Sequence, residues 1–312
     1  MKNSDYKLKQ LFYEQCKNKV YIPSVFIDEI WDYLMSTVGE YVGTTSLWED
    51  FTYVARNLYG DDIERFQDDL HNISNDLIKL LTKGYDKVKI SDEEFSKYHK
   101  TTHFNQIENG TYLTLDLKNA HIQALLYFGG ITEEELNGVF EKYTFGNTLR
   151  NHKWVYNIAY QNTPQNKMGF LFDKKLINLA FESNDALFML VKEHTNTYDI
   201  IGDRLFIKIK EKDKQIFEQY LYKHYTTVND ITFFVDICHK LTIKIDNFKD
   251  IYVDESEKSK KKFYSNLFKN SLSYDIYPQV YKKIKNLPIE KYDLVYGYCD
   301  KINFFKTKIW EV

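Results

Sequence analysis

In the first third of the chain, the apolar residues are spaced as in amphipathic helices that bury one face. Between residues 61 and 81 apolar residues recur at alternating steps of three and four: Ile63, Phe66, Leu70, Ile73, Leu77 and Leu80. Gly60 and Asp61 provide the break and the N-cap that begin this helix. Residues 1–98 are therefore predicted to be mainly helical.

Apolar and polar residues alternate from Thr111 to Asp116, which predicts a β-strand that ends in an aspartate. Helical spacing then returns, and helices are expected at about 117–127, 132–143, 147–162 and 172–194. Thr132 and Glu135 have the spacing of a capping box, in which each side chain bonds to the other residue's backbone N–H. Pro164 is expected to end the third of these helices.

Two β-rich segments flank the turn pair Gly202-Asp203, and they predict a β-hairpin over residues 197–209. The remainder mixes helical and strand patterns, with a polar run at 254–262 that predicts an exposed loop. A second hairpin is expected at the end, with arms 292–299 and 301–310. The predicted fold class is α+β in three parts, a helical N-terminal domain at 1–105, a small antiparallel sheet with short helices at 106–210, and an α+β region at 211–312.

Size and composition indicate a cytoplasmic protein without a membrane partner. A chain of 312 residues builds a core large enough to need no disulfide or metal staple. Its cysteines, Cys16, Cys238 and Cys299, match no zinc spacing and favour a reducing compartment. Cys238-His239 has no second pair within reach and is predicted to pack in the core. No signal-peptide core follows the N-terminus, and the apolar runs are too short to cross a bilayer.

The formal net charge of −3 argues against general binding of polyanions over the whole surface. A nucleic-acid site in this chain would therefore need a local lining of Lys and Arg. The 26 Tyr and 22 Phe residues include candidates for stacking on bases, although most fit ordinary core and surface positions.

Candidate chemistry lies in three short motifs that follow one another as strand, helix and hairpin. Asp116 ends the predicted strand, and Asp203 lies in the predicted hairpin turn. Between them, Arg150 and Lys153 are expected on one helical face. Two carboxylates that converge from neighbouring strands suit Mg²⁺, while Arg and Lys neutralise a triphosphate.

The order of these motifs resembles the palm and fingers of template-directed polymerases, most closely family B DNA polymerases, over residues 110–210. The family's first motif, Asp-x-x-Ser-Leu-Tyr-Pro-Ser, matches at Asp116. In this motif Asn119 stands in place of the Ser and His121 in place of the Tyr, while Ile122-Gln123 replaces Pro-Ser.

The second and third family motifs are also matched in part. Lys-x-x-x-Asn-Ser-x-Tyr-Gly matches at Lys153, Asn157 and Tyr160. Tyr-x-Asp-Thr-Asp-Ser matches at Asp203, whereas Ile201 replaces its first Asp. Nothing near the N-terminus resembles the family's proofreading exonuclease.

The resemblance implies a role for each matched residue. Asp116 and Asp203 would hold Mg²⁺ or Mn²⁺, while Arg150 and Lys153 would bind the triphosphate of a dNTP or NTP. The remaining matched residues would surround the nascent base pair and the primer: Asn157 and Tyr160 as the floor of the pair, His121 near the sugar, and Lys306 and Lys308 on the primer strand. The implied function is a DNA polymerase-like nucleotidyltransferase of a phage or mobile element, working on a nucleic-acid template and primer. A protein partner subunit could supply further grip on the DNA.

Several alternatives remain open. Asp300, within Tyr296–Ile302, is the rival of Asp203 for the second catalytic carboxylate. Residues 59–62 spell the catalytic Tyr-Gly-Asp-Asp of RNA-dependent RNA polymerases, but they precede Asp116 and are predicted to begin a helix. The whole chain is alternatively a catalytically inactive, palm-like binding or assembly subunit of a replication or transcription complex. A minimal relative of single-subunit RNA polymerases is the third possibility.

Overall fold

The computed structural model describes residues 2–15, 31, 44–60, 62–98, 102–163, 166–195, 198–221, 225–243, 251–256, 262–264, 287–288, 295–298 and 301–304. The chain forms two compact units. Unit 1 combines Met1–Gln67 with Leu241–Glu255 and Ser259–Val312, and unit 2 comprises Asp68–Lys240 with Ser256–Lys258. The predicted palm, 106–210, lies wholly within unit 2. The fold is mixed α+β, as the sequence predicts.

Helices α1 (Lys2–Gln15) and α2 (Thr44–Tyr59) belong to unit 1, together with the beginning of α3 (Ile63–Lys87). They meet in a cluster of edge-to-face aromatic rings: Phe12, Trp31, Trp48, Phe51 and Phe66. Ring pairs in this geometry stabilise a core beyond the area that they bury.

The apolar stripe predicted for α3 is confirmed, since all six of its residues are buried. The N-cap differs from the prediction by one position. Asp62, rather than Asp61, accepts a hydrogen bond from the backbone N–H of Arg65 through Oδ1, at 3.1 Å. In this Tyr-Gly-Asp-Asp sequence, Tyr59 therefore ends α2 and Asp62 caps α3.

Two hairpins lie largely in unit 1. The first pairs β6 (Ile251–Ser256) with β7 (Lys262–Tyr264), and the second pairs β8 (Val295–Tyr298) with β9 (Lys301–Phe304). The second hairpin confirms the predicted closing arms over 295–298 and 301–304, and the rest of those arms lies outside the described residues. The predicted loop at 254–262 is wrong at both ends, because Asp254 pairs with Lys262 across the first hairpin. Cross-strand pairing of opposite charges favours a strand over a solvated loop here.

Unit 2 contains an antiparallel sheet of five strands in the order β2-β3-β1-β5-β4. The strands are β1 (Gly110–Leu117), β2 (Tyr198–Ile201), β3 (Arg204–Ile209), β4 (Tyr225–Val228) and β5 (Ile231–Ile243). β1 is central and confirms the strand predicted from alternation. The hairpin of β2 and β3 around Gly202-Asp203 is confirmed as well.

The helices between β1 and β2 in unit 2 are α5 (Ala120–Tyr127), α6 (Glu133–Phe140), α7 (Gly146–Leu149), α8 (Lys153–Asn162), α9 (Asn166–Glu182) and α10 (Ala186–His194). Helix α4 (Asp92–Tyr98) precedes β1, and α11 (Lys214–Leu221) follows β3. The predicted capping box begins α6, with Thr132 and Glu135 bonded to each other's backbone N–H at 3.0 and 3.1 Å.

The single helix predicted at 147–162 is wrong, because the chain breaks between α7 and α8. His152 is extended (φ −96°, ψ 115°) and caps α8. The Asn151 side chain donates to the backbone oxygen of Asn147 at 3.3 Å. Local side-chain bonds of this kind compete with continuation of a helix. Arg150 therefore precedes the helix that begins at Lys153, and the prediction that the two share one helical face is wrong.

The single helix predicted at 172–194 is also wrong. It consists of α9 and α10, separated at residues 183–185. Asp185 is extended (φ −64°, ψ 141°), and its side chain accepts a hydrogen bond from the Leu187 N–H at 2.9 Å. An aspartate that caps a new helix stops the previous one without interrupting the apolar periodicity. Pro164 lies outside the described residues.

The two faces of the sheet in unit 2 differ in chemistry. One carries Leu113, Leu115 and Leu117 of β1, all buried. The other, termed the Asp116 face, carries Tyr112, Thr114 and Asp116 with their cross-strand neighbours. At the Tyr112 end this face is buried, and Phe104 packs there against Phe206 at 5.8 Å between ring centroids. At the other end, Asp116 is only half-buried.

No helix of the described chain is both long enough and apolar enough to span a bilayer.

Two glycines in unit 2 provide a matched test of the packing. A Cβ added at Gly146 would lie 1.8 Å from the Phe140 backbone oxygen, whereas one added at Gly138, inside α6, would meet nothing within 4 Å. Gly138→Ala should raise the free energy of unfolding by about 0.5–1 kcal/mol, because alanine restricts the unfolded chain and favours helix. Gly146→Ala should lower it by about 1–3 kcal/mol, the usual cost of overpacking. Urea denaturation measures both, and similar values for the two variants would contradict this packing.

Candidate active site

The two predicted catalytic aspartates lie at the same end of adjacent antiparallel strands. Asp116 of β1 is directly opposite Arg204 of β3, so that Asp203 lies one residue beyond this pair. The Leu117 N–H donates a hydrogen bond of 3.0 Å to the Asp203 backbone oxygen. Gly202 turns the hairpin with φ 64°, a conformation that glycine adopts without strain. The predicted adjacency of the two strands is confirmed.

A buried ion pair lies next to this end of the sheet. His121 Nδ1 of α5 is 2.7 Å from Asp173 Oδ2 of α9, and the side chains are 11% and 0% exposed. Gly169 makes this approach possible, because a Cβ there would lie 2.8 Å from His121 Nδ1. Asn119, in the left-handed conformation (φ 50°, ψ 50°), directs the chain from β1 into α5. A sharp turn after Asp116 thus brings His121 to Asp173.

Aromatic side chains surround this ion pair. Tyr160 of α8 packs edge-on to the His121 ring at 4.7 Å between centroids, and Phe170 of α9 does so at 5.2 Å. The Tyr85 hydroxyl of α3 would lie 2.8 Å from a Cβ at Gly169, so it borders the same space. His121, Asp173, Tyr160, Phe170 and Tyr85 are termed the His121 cluster.

Burial shifts the acid–base properties of the His121 cluster. Burial raises the pKa of Asp173 to about 6, against the opposing effect of His121. Burial alone would lower the pKa of His121, but the hydrogen bond and the charge of Asp173 outweigh it, and the net shift is upward. Burial also raises the pKa of Tyr85 and Tyr160. The Asp173 carboxylate therefore favours the charged form of the His121 imidazole, against the effect of burial.

Asp203 and Lys153 lie within electrostatic range of the His121 cluster. The charge of Asp203 raises the pKa of both His121 and Asp173, and the charge of Lys153 lowers that of His121. Lys153 is exposed at the first turn of α8, the helix that also carries Asn157 and Tyr160. The structure thus brings together Asp203, Lys153, Tyr160 and His121, which are distant in sequence.

Arg150 lies elsewhere. Its Nη2 is 2.8 Å from Glu133 Oε2, and it borders a pocket of about 930 Å³ on the face of α5 opposite His121. Lys118, Tyr127 and Asn151 also line this pocket. Gln123 and Thr232 also line this pocket, and two hydrogen bonds join them. The Gln123 side-chain amide accepts from the Thr232 N–H at 2.6 Å and donates to the Thr232 backbone oxygen at 3.1 Å. Among the predicted nucleotide-binding residues, Arg150 therefore borders the pocket on one face of α5, whereas Tyr160 packs against His121 on the opposite face.

Other predicted residues lie outside the described part of the chain or within the core. Asp300, Lys306 and Lys308 are outside the described residues. Cys238 is buried, and His239 Nδ1 is 3.2 Å from Thr111 Oγ1 across the sheet. The prediction that Cys238-His239 packs in the core agrees with this placement.

Sequence reasoning missed Asp173. On α9 the residues Gly169, Phe172, Leu176, Ile177 and Ala180 form one buried stripe, and Asp173 occupies a position within it. An acid at a core position of an amphipathic helix requires a polar partner inside the protein. That signal was present in the sequence, but it does not identify His121 as the partner.

Two aspartates at the strand ends are the predicted ligands of a divalent cation. Among the described residues, no group of three or more His, Cys, Asp and Glu side chains is placed to hold a metal ion. Mg²⁺, however, is usually bound by one or two carboxylates together with water and substrate phosphates. Asp116 of β1 and Asp203 of the β2–β3 turn are the two predicted ligands at this end of the sheet.

Comparisons of this chain with protein-family models, with curated proteins and with solved structures found no match.

Replacing Asp173 by Asn tests the buried pair. The pKa of His121 should fall in Asp173→Asn, since burial would then act without a neighbouring carboxylate. A folded-state pKa above the unfolded value means that His121 stabilises the wild type fully below about pH 6.5, and that this contribution is lost as the pH rises through the folded pKa. Asp173→Asn should lack that part of the pH dependence.

The measurement is an NMR titration of the His Cε1–H signals in metal-free buffer, combined with urea denaturation at several pH values. The other histidines provide the internal control. An unchanged His121 titration in Asp173→Asn would contradict the ion pair.

Proposed function

We propose that this chain is a template-directed nucleotidyltransferase that extends the 3′ end of a nucleic acid, as a DNA polymerase-like enzyme. The observation that supports it best is the register of β1 and β3, which brings Asp203 beside the residue that follows Asp116. His121, packed against Tyr160, lies within electrostatic range of both Asp203 and Lys153. Asp116, Asp203, His121, Lys153 and Tyr160 all belong to the matched sequence motifs, and they lie on β1, on the β2–β3 turn and on the helices α5 and α8.

In this proposal Asp116 and Asp203 hold Mg²⁺ or Mn²⁺, which supplies charge neutralisation at the transferring phosphate. Lys153 contributes a mobile positive charge for the triphosphate of the incoming dNTP or NTP. The reaction joins the primer 3′ oxygen to the α-phosphorus and breaks the bond to pyrophosphate. Positioning and electrostatics account for most of the catalysis in phosphoryl transfer, so a rigid site is needed.

The His121 cluster would provide that rigidity on the sugar side. The Asp173 pair holds the His121 ring by Nδ1, and Tyr160 packs against it edge-on. A ring restrained in this way presents a fixed edge to the sugar of the nucleotide. Whether that edge excludes a 2′-hydroxyl decides between dNTP and NTP.

A binding or assembly subunit with a palm-like sheet is the second candidate. Two observations favour it. Arg150 is paired with Glu133 at 2.8 Å and is directed to the pocket on the other face of α5, away from Lys153. Ile201 occupies the position where the family has its first hairpin aspartate. Such a subunit would keep the fold of the sheet without needing a metal.

Primer extension tests the enzyme. Wild-type protein with Mg²⁺ or Mn²⁺, a primed template and separate dNTP and NTP sets should incorporate nucleotide. Asp116→Asn and Asp203→Asn should each lower the rate at least about 100-fold, the scale for loss of one preorganised charge at a transition state. Asp199→Asn, on the same hairpin as Asp203, is the matched control and should retain activity.

Absence of incorporation by wild type with both nucleotide sets, on DNA and RNA templates, would contradict the proposal. Equal losses in Asp199→Asn and Asp203→Asn would show that the hairpin matters only for folding.

Thermal denaturation distinguishes enzyme from subunit independently of turnover. A ligand that binds only the folded state at 100 times its Kd stabilises it by about 2.7 kcal/mol. Mn²⁺ together with dNTP or NTP should therefore raise the Tm of wild type by several degrees and that of Asp116→Asn much less. An equal shift in both proteins would contradict metal and nucleotide binding at Asp116.

A further inference from the structure

Four side chains form a row across the half-buried end of the Asp116 face. Tyr225 of β4 is opposite Phe234 of β5, Phe234 is opposite Asp116 of β1, and Asp116 is opposite Arg204 of β3. Residues directly opposite each other in antiparallel strands point to the same face of the sheet. Two aromatic rings therefore lie next to the candidate catalytic aspartate, on the side away from Asp203.

The two rings are accessible and accompanied by a cation. Tyr225 is 50% exposed, and its ring packs edge-on to the half-buried Phe234 at 5.3 Å between centroids. Lys118, two residues after Asp116, places Nζ 5.6 Å from the centroid of the Tyr225 ring. Lys118 is itself exposed.

The composition of this patch fits a single nucleic-acid strand. Bases stack on exposed aromatic rings, each such contact contributing about 1–3 kcal/mol, and lysines contact the phosphates between them. Thr227 and Thr232, opposite each other on the same face, add two hydroxyl oxygens 3.2 Å apart.

We propose that Tyr225, Phe234 and Lys118, termed the β4–β5 platform, bind the single-stranded end of a nucleic acid and hold it beside Asp116. The rings stack on bases, and the Lys118 ammonium contacts a phosphate. The proposal rests on the proposed function in one respect, because that function makes the bound strand the one that is extended. Binding itself requires neither metal nor turnover.

Fluorescence anisotropy tests the β4–β5 platform directly. The probe is a labelled single-stranded DNA of about 12 nucleotides, within the range of known single-strand sites. It is titrated with full-length protein in buffer with EDTA and without nucleotide. Tyr225→Ala should raise the Kd about 5- to 150-fold, the equivalent of one lost stacking contact. Tyr225→Phe should bind the probe as the wild type does, because its ring still stacks.

Tyr198→Ala is the matched control. Tyr198 is also an exposed tyrosine, 38% accessible, on β2 at the opposite edge of the same sheet. This variant should bind the probe as the wild type does. Lys118→Gln should reduce the slope of log Kd against log salt concentration by about 0.7, the value for one phosphate contact on a single strand. Urea denaturation of each variant verifies that it is folded.

The outcomes separate this proposal from the proposed function. Wild-type affinity in Tyr225→Ala, an equal loss in Tyr198→Ala, or no binding of the probe by wild type would each overturn the platform. Primer extension that continues at the wild-type rate in Tyr225→Ala would also count against the platform, while the enzyme would stand. If the wild type binds the probe through Tyr225 but incorporates no nucleotide, the platform would stand and the polymerase function would be overturned.

Discussion

The position of β1 between β3 and β5 determines which residues of unit 2 meet. Hydrogen bonds on both sides hold it in register, including the 3.0 Å bond from the Leu117 N–H to the Asp203 oxygen. A slip of one residue would turn Asp116 towards the apolar face and Leu115 or Leu117 towards the open one. Burial of Leu113, Leu115 and Leu117 opposes such a slip, because each would lose its place in the core. The packing of the core thus determines the position of the candidate site.

The His121–Asp173 pair links two helices that contribute to this site. Fully buried ion pairs seldom add net stability compared with apolar residues, yet removing one partner costs about 3–5 kcal/mol because the other charge remains buried. Here the pair orients the His121 ring and fixes α5 against α9 next to Asp203. Its charges sum to zero, so Asp203 and Lys153 remain the nearby charges with which a ligand can interact. The ion pair is therefore better suited to orienting the His121 ring than to stabilising the fold.

Local patterns predicted those elements that local interactions decide. The α3 stripe, the β1 alternation, the capping box at Thr132 and the turn at Gly202-Asp203 all depend on residues close in sequence, and all were found. Helix breaks at 150–152 and 183–185 were missed because apolar periodicity continues across them, while Asn151 and Asp185 form local bonds that end the helices. The predicted site grouped Asp203, Lys153, Tyr160 and His121 with Arg150, and Arg150 lies at the pocket on the other face of α5. Asp173 and the β4–β5 platform depend on the pairing of distant segments, which single-sequence patterns do not contain.

The division of the chain between the units has a consequence for its synthesis. Unit 2 consists almost entirely of one continuous segment, whereas unit 1 needs residues on both sides of it. A ribosome that adds about 5–20 residues per second takes roughly 10–35 s to pass from residue 67 to residue 241. During that interval the aromatic residues of α1 and α2 have emerged without the C-terminal part of their unit. Unit 2 can therefore complete its fold before unit 1, whose N-terminal helices wait for the C-terminal segment of the chain.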